Sequence, residues 1–83
     1  MARIVFFASI REELGSEHLD MGITDGMRLS QVIETLIRDR RGTWRSVLTA
    51  ENVRIAVNQE LVNGDVQVNN GDEIAFFPPV TGG

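Results

Sequence analysis

The sequence contains no cysteine and no lysine among its 83 residues. Without cysteine there is no disulfide bond, no thiolate metal site and no cysteine nucleophile. Tyrosine is also missing, and only two residues are proline. The eight basic residues are all arginine and are outnumbered by twelve acidic ones, so the net charge is -4. This charge argues against non-specific binding of nucleic acid, because the phosphates would be repelled.

Long apolar runs are missing as well. Every uninterrupted apolar stretch is far shorter than the ~20 residues that a membrane-spanning helix needs. The first three residues lead directly into a strand-like segment and lack the apolar region of a signal peptide. We therefore expect a cytoplasmic protein with no membrane partner.

The residues that are present follow the pattern of one small α+β domain, which we expect to span residues 1–83. The strongest helix prediction covers residues 29–40, where apolar side chains recur at i, i+3, i+4 and i+7. Two shorter helical segments are predicted within residues 9–15 and 43–50. Predicted strands cover residues 3–8, 17–21, 53–58, 60–62 and 73–77. The first and last strands are the most apolar, so we place them centrally, with the main helix across one face of a mixed sheet.

Side chains alternate between the two faces of a strand, so charged residues identify the solvent-facing side. The charged residues Arg3, Arg54 and Glu73 mark the solvent-facing side of the first strand, of the strand at 53–58 and of the last strand, respectively. The predicted core beneath the helix is Ile4, Phe6, Ile55, Val57, Ile74 and Phe76, with Ala8 on the same side of the first strand. The opposite, open face then carries Val5, Phe7, Ala75 and Phe77. Two phenylalanines in one patch indicate a surface that docks another protein, unless a loop or the C-terminal tail covers them.

The sequence ends in a stiff segment followed by two glycines. Pro78-Pro79 favours an extended exit from the last strand. Val80, Thr81, Gly82 and Gly83 can then reach about 13–14 Å further. Glycine has no Cβ, so the last two residues can enter a narrow channel. We predict that residues 78–83 form an extended, flexible tail that presents the α-carboxylate of Gly83 to another protein, although a terminal Gly-Gly also arises by chance.

A carboxylate is an inert anion at neutral pH and requires activation, usually adenylation by a separate ATP-dependent enzyme. Genome composition would explain the missing lysine. The alternative explanation is that the chain offers no side-chain amine to an activated C-terminus, which disfavours self-conjugation.

Other residues that could carry chemistry are few. His18 has no metal ligand at suitable spacing, Glu12-Glu13 fits the solvated part of a short helix, and no nucleophile–base pair is evident. The arginines at positions 38, 40 and 41 either complement the dipole of the main helix or bind an acidic partner. We expect a chain that binds no metal or cofactor and does not catalyse a reaction alone.

Two segments carry a family resemblance. Val57-Asn58-Gln59, followed by a C-terminal run from Asn70 that reads NGDEIAFFPPVTGG, closely resembles the small, sulfur-carrying subunit of molybdopterin synthase, the MoaD-like family. The N-terminal Val5-Phe6-Phe7-Ala8 with Arg11-Glu12, and Trp44 after the helix, fit the same family. The C-terminal run is highly specific, and the resemblance covers essentially the whole chain.

The resemblance implies a β-grasp, ubiquitin-like fold and a sulfur-transfer reaction at the C-terminus. A MoeB-like enzyme would use ATP and magnesium to adenylate Gly83, which would then become a thiocarboxylate. The large, MoaE-like synthase subunit would accept Gly82-Gly83 in its active site, where sulfur passes to cyclic pyranopterin monophosphate. The family's synthase is a heterotetramer of two large and two small subunits. By position, Phe7, Phe77, Pro78, Pro79, Val80 and Thr81 would bind the partner.

Three alternatives stay open. One is a ThiS-like sulfur carrier of thiazole synthesis, whose members tend to be shorter and to lack the FFPP stretch. The second is a ubiquitin-like modifier that is joined to lysines of other proteins. The third is an interaction domain whose tail has no chemical role.

Overall fold

The computed structural model describes residues 1–38, 40 and 42–78. The helices in this part of the chain are α1 (Ala8–Leu14), α2 (Leu29–Arg38) and α3 (Trp44–Leu48). The strands are β1 (Ala2–Phe6), β2 (His18–Met21), β3 (Met27–Arg28), β4 (Arg54–Val57), β5 (Glu60–Leu61), β6 (Gln67–Val68) and β7 (Glu73–Phe77).

Five of the strands form one mixed sheet in the order β2-β1-β7-β4-β5. The two central neighbours β1 and β7 run parallel, and the other pairs are antiparallel. Their register places Ile4 beside Ile74, Val5 beside Ala75 and Phe6 beside Phe76. The first and last strands therefore lie centrally, as the sequence predicted, and they are adjacent.

The core lies between this sheet and the three helices. The sheet contributes Ile4, Phe6, Ile74 and Phe76, all of which are fully buried. Helix α2 covers them with Leu29, Val32, Leu36 and Ile37. Of the six predicted core residues, Ile55 and Val57 are only half-buried, because β4 lies next to the short edge strand β5. Trp44 packs edge-on against Phe6 with 5.4 Å between ring centroids and is partly buried against the core.

Most predicted boundaries differ from the structure by one or two residues, and two of these differences have a clear cause. Ala8 does not continue β1 on its core-facing side, because its φ of +50° turns the chain into α1. Gly15 ends α1 with a left-handed conformation. Helix α2 ends at Arg38 rather than Arg40, because the Arg40 backbone N–H bonds to Ile37 O in a tighter turn.

A second sheet of two strands, β3 and β6, escaped the sequence analysis because each strand has only two residues. It holds the start of α2. Leu29 N donates to Val66 O at 2.8 Å, and Ser30 donates to Asp65 from both its backbone N–H and its hydroxyl, at 2.7 Å each. The helix is thus capped by a residue that lies 35 positions further along the chain.

The bond from the Ser30 hydroxyl, followed by that from the Ser30 backbone, lowers the pKa of the Asp65 carboxyl. Partial desolvation opposes this shift, and the charge of Arg28 adds to it. The ionised form of Asp65 is therefore the one that caps α2.

This architecture is an α+β fold of the β-grasp, ubiquitin-like type, with the main helix across one face of a mixed sheet. Within the described residues, no helix is long and apolar enough to cross a membrane.

Candidate functional site

The open face of the five-stranded sheet carries an aromatic pair. The rings of Phe7 and Phe77 are parallel within 1° and their centroids are 4.7 Å apart. Phe7 follows β1 directly, and its backbone N–H donates to Phe76 O at 3.1 Å, which extends the pairing with β7 by one residue. Phe77 is half-buried, whereas 40% of Phe7 remains exposed. The pair forms one apolar platform at the carboxyl end of β7.

Small side chains lie beside this platform. Ala75 is flanked by Val5 on β1 and by Ala56 on β4, and Leu61 lies beyond Ala56 on β5. Because Ala56 and Ala75 are short, the surface sinks between the aromatic pair and Leu61 into an open depression of about 380 Å³. We call it the open-face groove; its lining is Phe7, Ala56, Gln59, Leu61, Glu73, Ala75 and Phe77.

The groove remains accessible in the part of the chain that the structure describes. Leu61 is 69% exposed, so no described loop covers that side of the groove. Phe7, Ala75 and Phe77 were predicted on the open face from the sequence, whereas Leu61, Gln59 and the contribution of Ala56 were not. The alternation that assigns Ala56 to the open face was visible in the sequence; its pairing with Leu61 was not.

The predicted tail begins at the edge of this groove. Pro78 follows Phe77 and is half-buried. The other predicted tail residues, Pro79, Val80, Thr81, Gly82 and Gly83, lie outside the described residues. Their roles, and the partner-binding roles of Phe7, Phe77 and Pro78, stay predictions.

The hairpin between β4 and β5 borders the groove and contains the Asn58-Gln59 pair of the family motif. Both residues have positive φ, 52° and 70°, which is typical of a two-residue hairpin loop. Asn58 has an internal role there. Its backbone N–H donates to Glu73 O at 2.8 Å, its Oδ1 accepts from Glu73 N at 3.0 Å, and its Nδ2 donates to Asp72 Oδ1 at 3.0 Å.

These bonds join the two parts of the motif in space. Asp72 Oδ2 also accepts from Asn69 N at 2.8 Å, and Asp72 O accepts from Arg3 N at 3.0 Å. The Asn58 hairpin, the turn before β7 and the start of β1 are thereby held at one end of the sheet. The motif therefore fixes the position of Gln59 and Glu73 at the groove.

Charged residues surround the apolar surface. Arg3 and Asp20 face each other across β1 and β2, with 4.0 Å between Nε and Oδ1. His18 is exposed on the same face, beside Val5. Within the described residues, no three histidine, aspartate or glutamate side chains are grouped to hold a metal ion. Among the described residues, the groove is thus an apolar surface bordered by charged side chains and not a metal site.

The basic end of α2 lies elsewhere. Arg40 Nη1 donates to Leu36 O at 3.3 Å, and the Arg40 guanidinium carbon lies 4.7 Å from the centre of the Trp44 ring. These contacts favour the interpretation that the Arg40 side chain stabilises the end of the helix and does not form part of a docking patch.

Comparison with known proteins finds a matching family model and relatives that share one name. A family model described as "ThiS family" matches residues 4–83. The chain is 35% identical to the molybdopterin synthase sulfur carrier subunit of Haemophilus influenzae, over 100% of both chains. It is 34% identical to the Escherichia coli protein of the same name, again over 100% of both.

Solved structures share the fold. Small archaeal modifier protein 1 of Methanosarcina acetivorans superposes with a TM-score of 0.75 at 20% identity, covering 99% of this chain and 95% of that one. One chain of a complex of subunits 1 and 2 of the Helicobacter pylori molybdopterin-converting factor gives a TM-score of 0.67 at 23% identity, covering 99% and 97%. At these identities the likeness concerns the fold alone.

Proposed function

Because the chain belongs to the ThiS family, we propose that it acts as its curated relatives are named, as the sulfur carrier subunit of a molybdopterin synthase. The observation that carries this proposal is the 35% identity over the full length of both chains. The name of the family model, ThiS, is also compatible with the alternative that the chain is a sulfur carrier of thiazole synthesis. The names of the full-length relatives favour molybdopterin synthesis.

The proposed chemistry takes place at Gly83. Its carboxylate oxygen attacks the α-phosphorus of ATP on a MoeB-like enzyme, magnesium neutralises phosphate charge, and pyrophosphate leaves. Hydrosulfide supplied by a sulfur donor then attacks the acyl carbon, the bond from that carbon to the adenylate oxygen breaks and AMP leaves. Gly83 then carries a thiocarboxylate. This chain has no cysteine, so no thiol of its own competes for the activated acyl group.

The open-face groove is the proposed docking surface for the large, MoaE-like subunit. Aromatic residues in the centre of a contact commonly dominate its binding energy, and the partly exposed aromatic pair that lines the groove supplies such a centre. Gly83 lies six positions after Phe77 in the sequence. A partner that covers the groove is therefore in position to receive the tail, which reaches about 13–14 Å beyond the prolines when extended.

The test is a reconstituted synthase made from this chain, an activating enzyme with ATP and a sulfur donor, and the large subunit. Deletion of Gly82-Gly83 should abolish sulfur transfer to cyclic pyranopterin monophosphate while circular dichroism and unfolding stay unchanged. Phe77→Ala should instead weaken binding of the large subunit about 30-fold, the loss expected for a ~2 kcal/mol aromatic anchor. Sulfur transfer that survives the deletion would refute the proposed chemistry.

A further inference from the structure

The open-face groove has one apolar end and one polar end. Phe7 and Phe77 form the apolar end, and Ala56 and Ala75 form its floor. Glu73 and Gln59 line the other end. We propose that the groove receives an arginine side chain of the docked partner, with the Glu73 carboxylate as its counter-ion. This inference rests on the proposed function, because it specifies what the large subunit inserts there.

Glu73 is held in place by its backbone and not by its side chain. Its N–H and its carbonyl both bond to Asn58, and β7 pairs with neighbours on both sides. Its carboxylate makes no hydrogen bond or ion pair with any residue that the structure describes. Arg3 is its neighbour across β1 and β7, but the Arg3 guanidinium approaches Asp20 instead. The Glu73 carboxylate is thus positioned at the groove with its acceptor capacity unused.

Gln59 adds a second unused polar group at the same end. Its φ of +70° is a conformation that glycine and asparagine adopt much more readily than glutamine. Asn58 offsets its own positive φ with three hydrogen bonds, whereas the Gln59 side chain makes none with the described residues. The amide oxygen of Gln59 is therefore available to accept a bond from a group in the groove.

The shape and charge together favour arginine. A long side chain can lay its methylene groups on the alanine floor beside the phenylalanine rings. Its planar guanidinium then meets the carboxylate, to which it can donate two parallel hydrogen bonds. An apolar or acidic side chain in the same position would remove water from Glu73 without replacing its hydrogen bonds, which is unfavourable.

The experiment compares Glu73→Gln with Glu60→Gln in titrations of the purified large molybdopterin synthase subunit. Glu60 is exposed on β5 and does not line the groove, so its variant removes the same charge nearby and serves as the matched control. Glu73→Gln should raise Kd about tenfold, as expected for loss of one charge-assisted hydrogen bond. It should also reduce the salt dependence of binding, because one ion pair is lost. Glu60→Gln should leave Kd unchanged, and both variants should unfold at the wild-type urea midpoint.

Phe77→Ala separates this inference from the proposed function. If Phe77→Ala weakens binding but Glu73→Gln does not, the groove receives no cation, and only the arginine proposal fails. If Glu60→Gln weakens binding as much as Glu73→Gln, the effect is general electrostatic attraction and the arginine proposal again fails. If the wild-type chain does not bind the large subunit, both proposals fail.

Discussion

The stacked pair of Phe7 and Phe77 permits a quantitative test of the open face. The perturbation is a double-mutant cycle of Phe7→Ala, Phe77→Ala and the double variant. The rings are 4.7 Å apart and parallel, so each single change removes the contact between them. The backbone bond from Phe7 N to Phe76 O does not involve the ring and survives in all three variants.

The magnitude follows from burial and geometry. Phe7 is 40% exposed, so about three-fifths of its side chain is covered. Full burial of a phenylalanine contributes about 1.5–3 kcal/mol, so truncation at Phe7 should remove about 1–2 kcal/mol of it. The aromatic pair adds about 0.5–1.5 kcal/mol. That pair contribution is lost in each single variant but only once in the double variant, which should therefore be about 1 kcal/mol more stable than additivity predicts.

The assay is the free energy of unfolding in urea for the wild type and the three variants. Phe7→Ala combined with Leu61→Ala is the matched control, because Leu61 lies across the groove and does not stack with Phe7. That control pair should be additive within about 0.5 kcal/mol. If the two phenylalanine changes are equally additive, the rings do not stack in solution, and the platform that we describe is wrong.

Two further predictions concern stability. The pKa of Asp65 is lowered in the folded state, so its contribution is present above the ordinary value of 3.8 and is lost as pH falls through the folded pKa. Wild type should be more stable than Asp65→Asn at neutral pH in urea unfolding, and the difference should shrink in acid; a difference that does not change with pH would contradict the capping role. Gln59→Gly should raise the free energy of unfolding by about 1 kcal/mol, because glycine accepts the positive φ. Asn58→Gly should lower the free energy of unfolding instead, because it removes two side-chain hydrogen bonds; stabilisation by both changes, or by neither, would contradict our account of the hairpin.

The large-scale arrangement of the fold was predictable because period-two alternation is strong in the apolar strands. Ile4 and Phe6 on β1, and Ile74 and Phe76 on β7, are buried as the alternation requires. The same reasoning placed Phe7 and Phe77 together on the open face, although it could not give the parallel orientation of β1 and β7. The helix α2 was equally clear, because its apolar stripe repeats over ten residues.

The remaining features depend on contacts between distant residues. Nothing near Ser30 in the sequence shows that its partner is Asp65, since only the β3–β6 pairing brings them together. The role of Asn58 at the start of β7 is likewise set by a register that local patterns do not encode. The missed groove residues Gln59 and Leu61 follow from this hairpin geometry. The signal that could have identified them was the Asn58-Gln59 pair between two strands, which is compatible with a two-residue turn.

The central claim is that sulfur is carried on the terminal carboxyl group of Gly83. It is tested most directly by intact and fragment mass measurement of the chain after incubation with the activating enzyme, ATP and a sulfur donor. We predict the replacement of one oxygen by sulfur, confined to the fragment that ends in Gly83 and absent without ATP. Sulfur found on any other fragment, or a chain of unchanged mass although the activating enzyme has consumed ATP in its presence, would contradict this account.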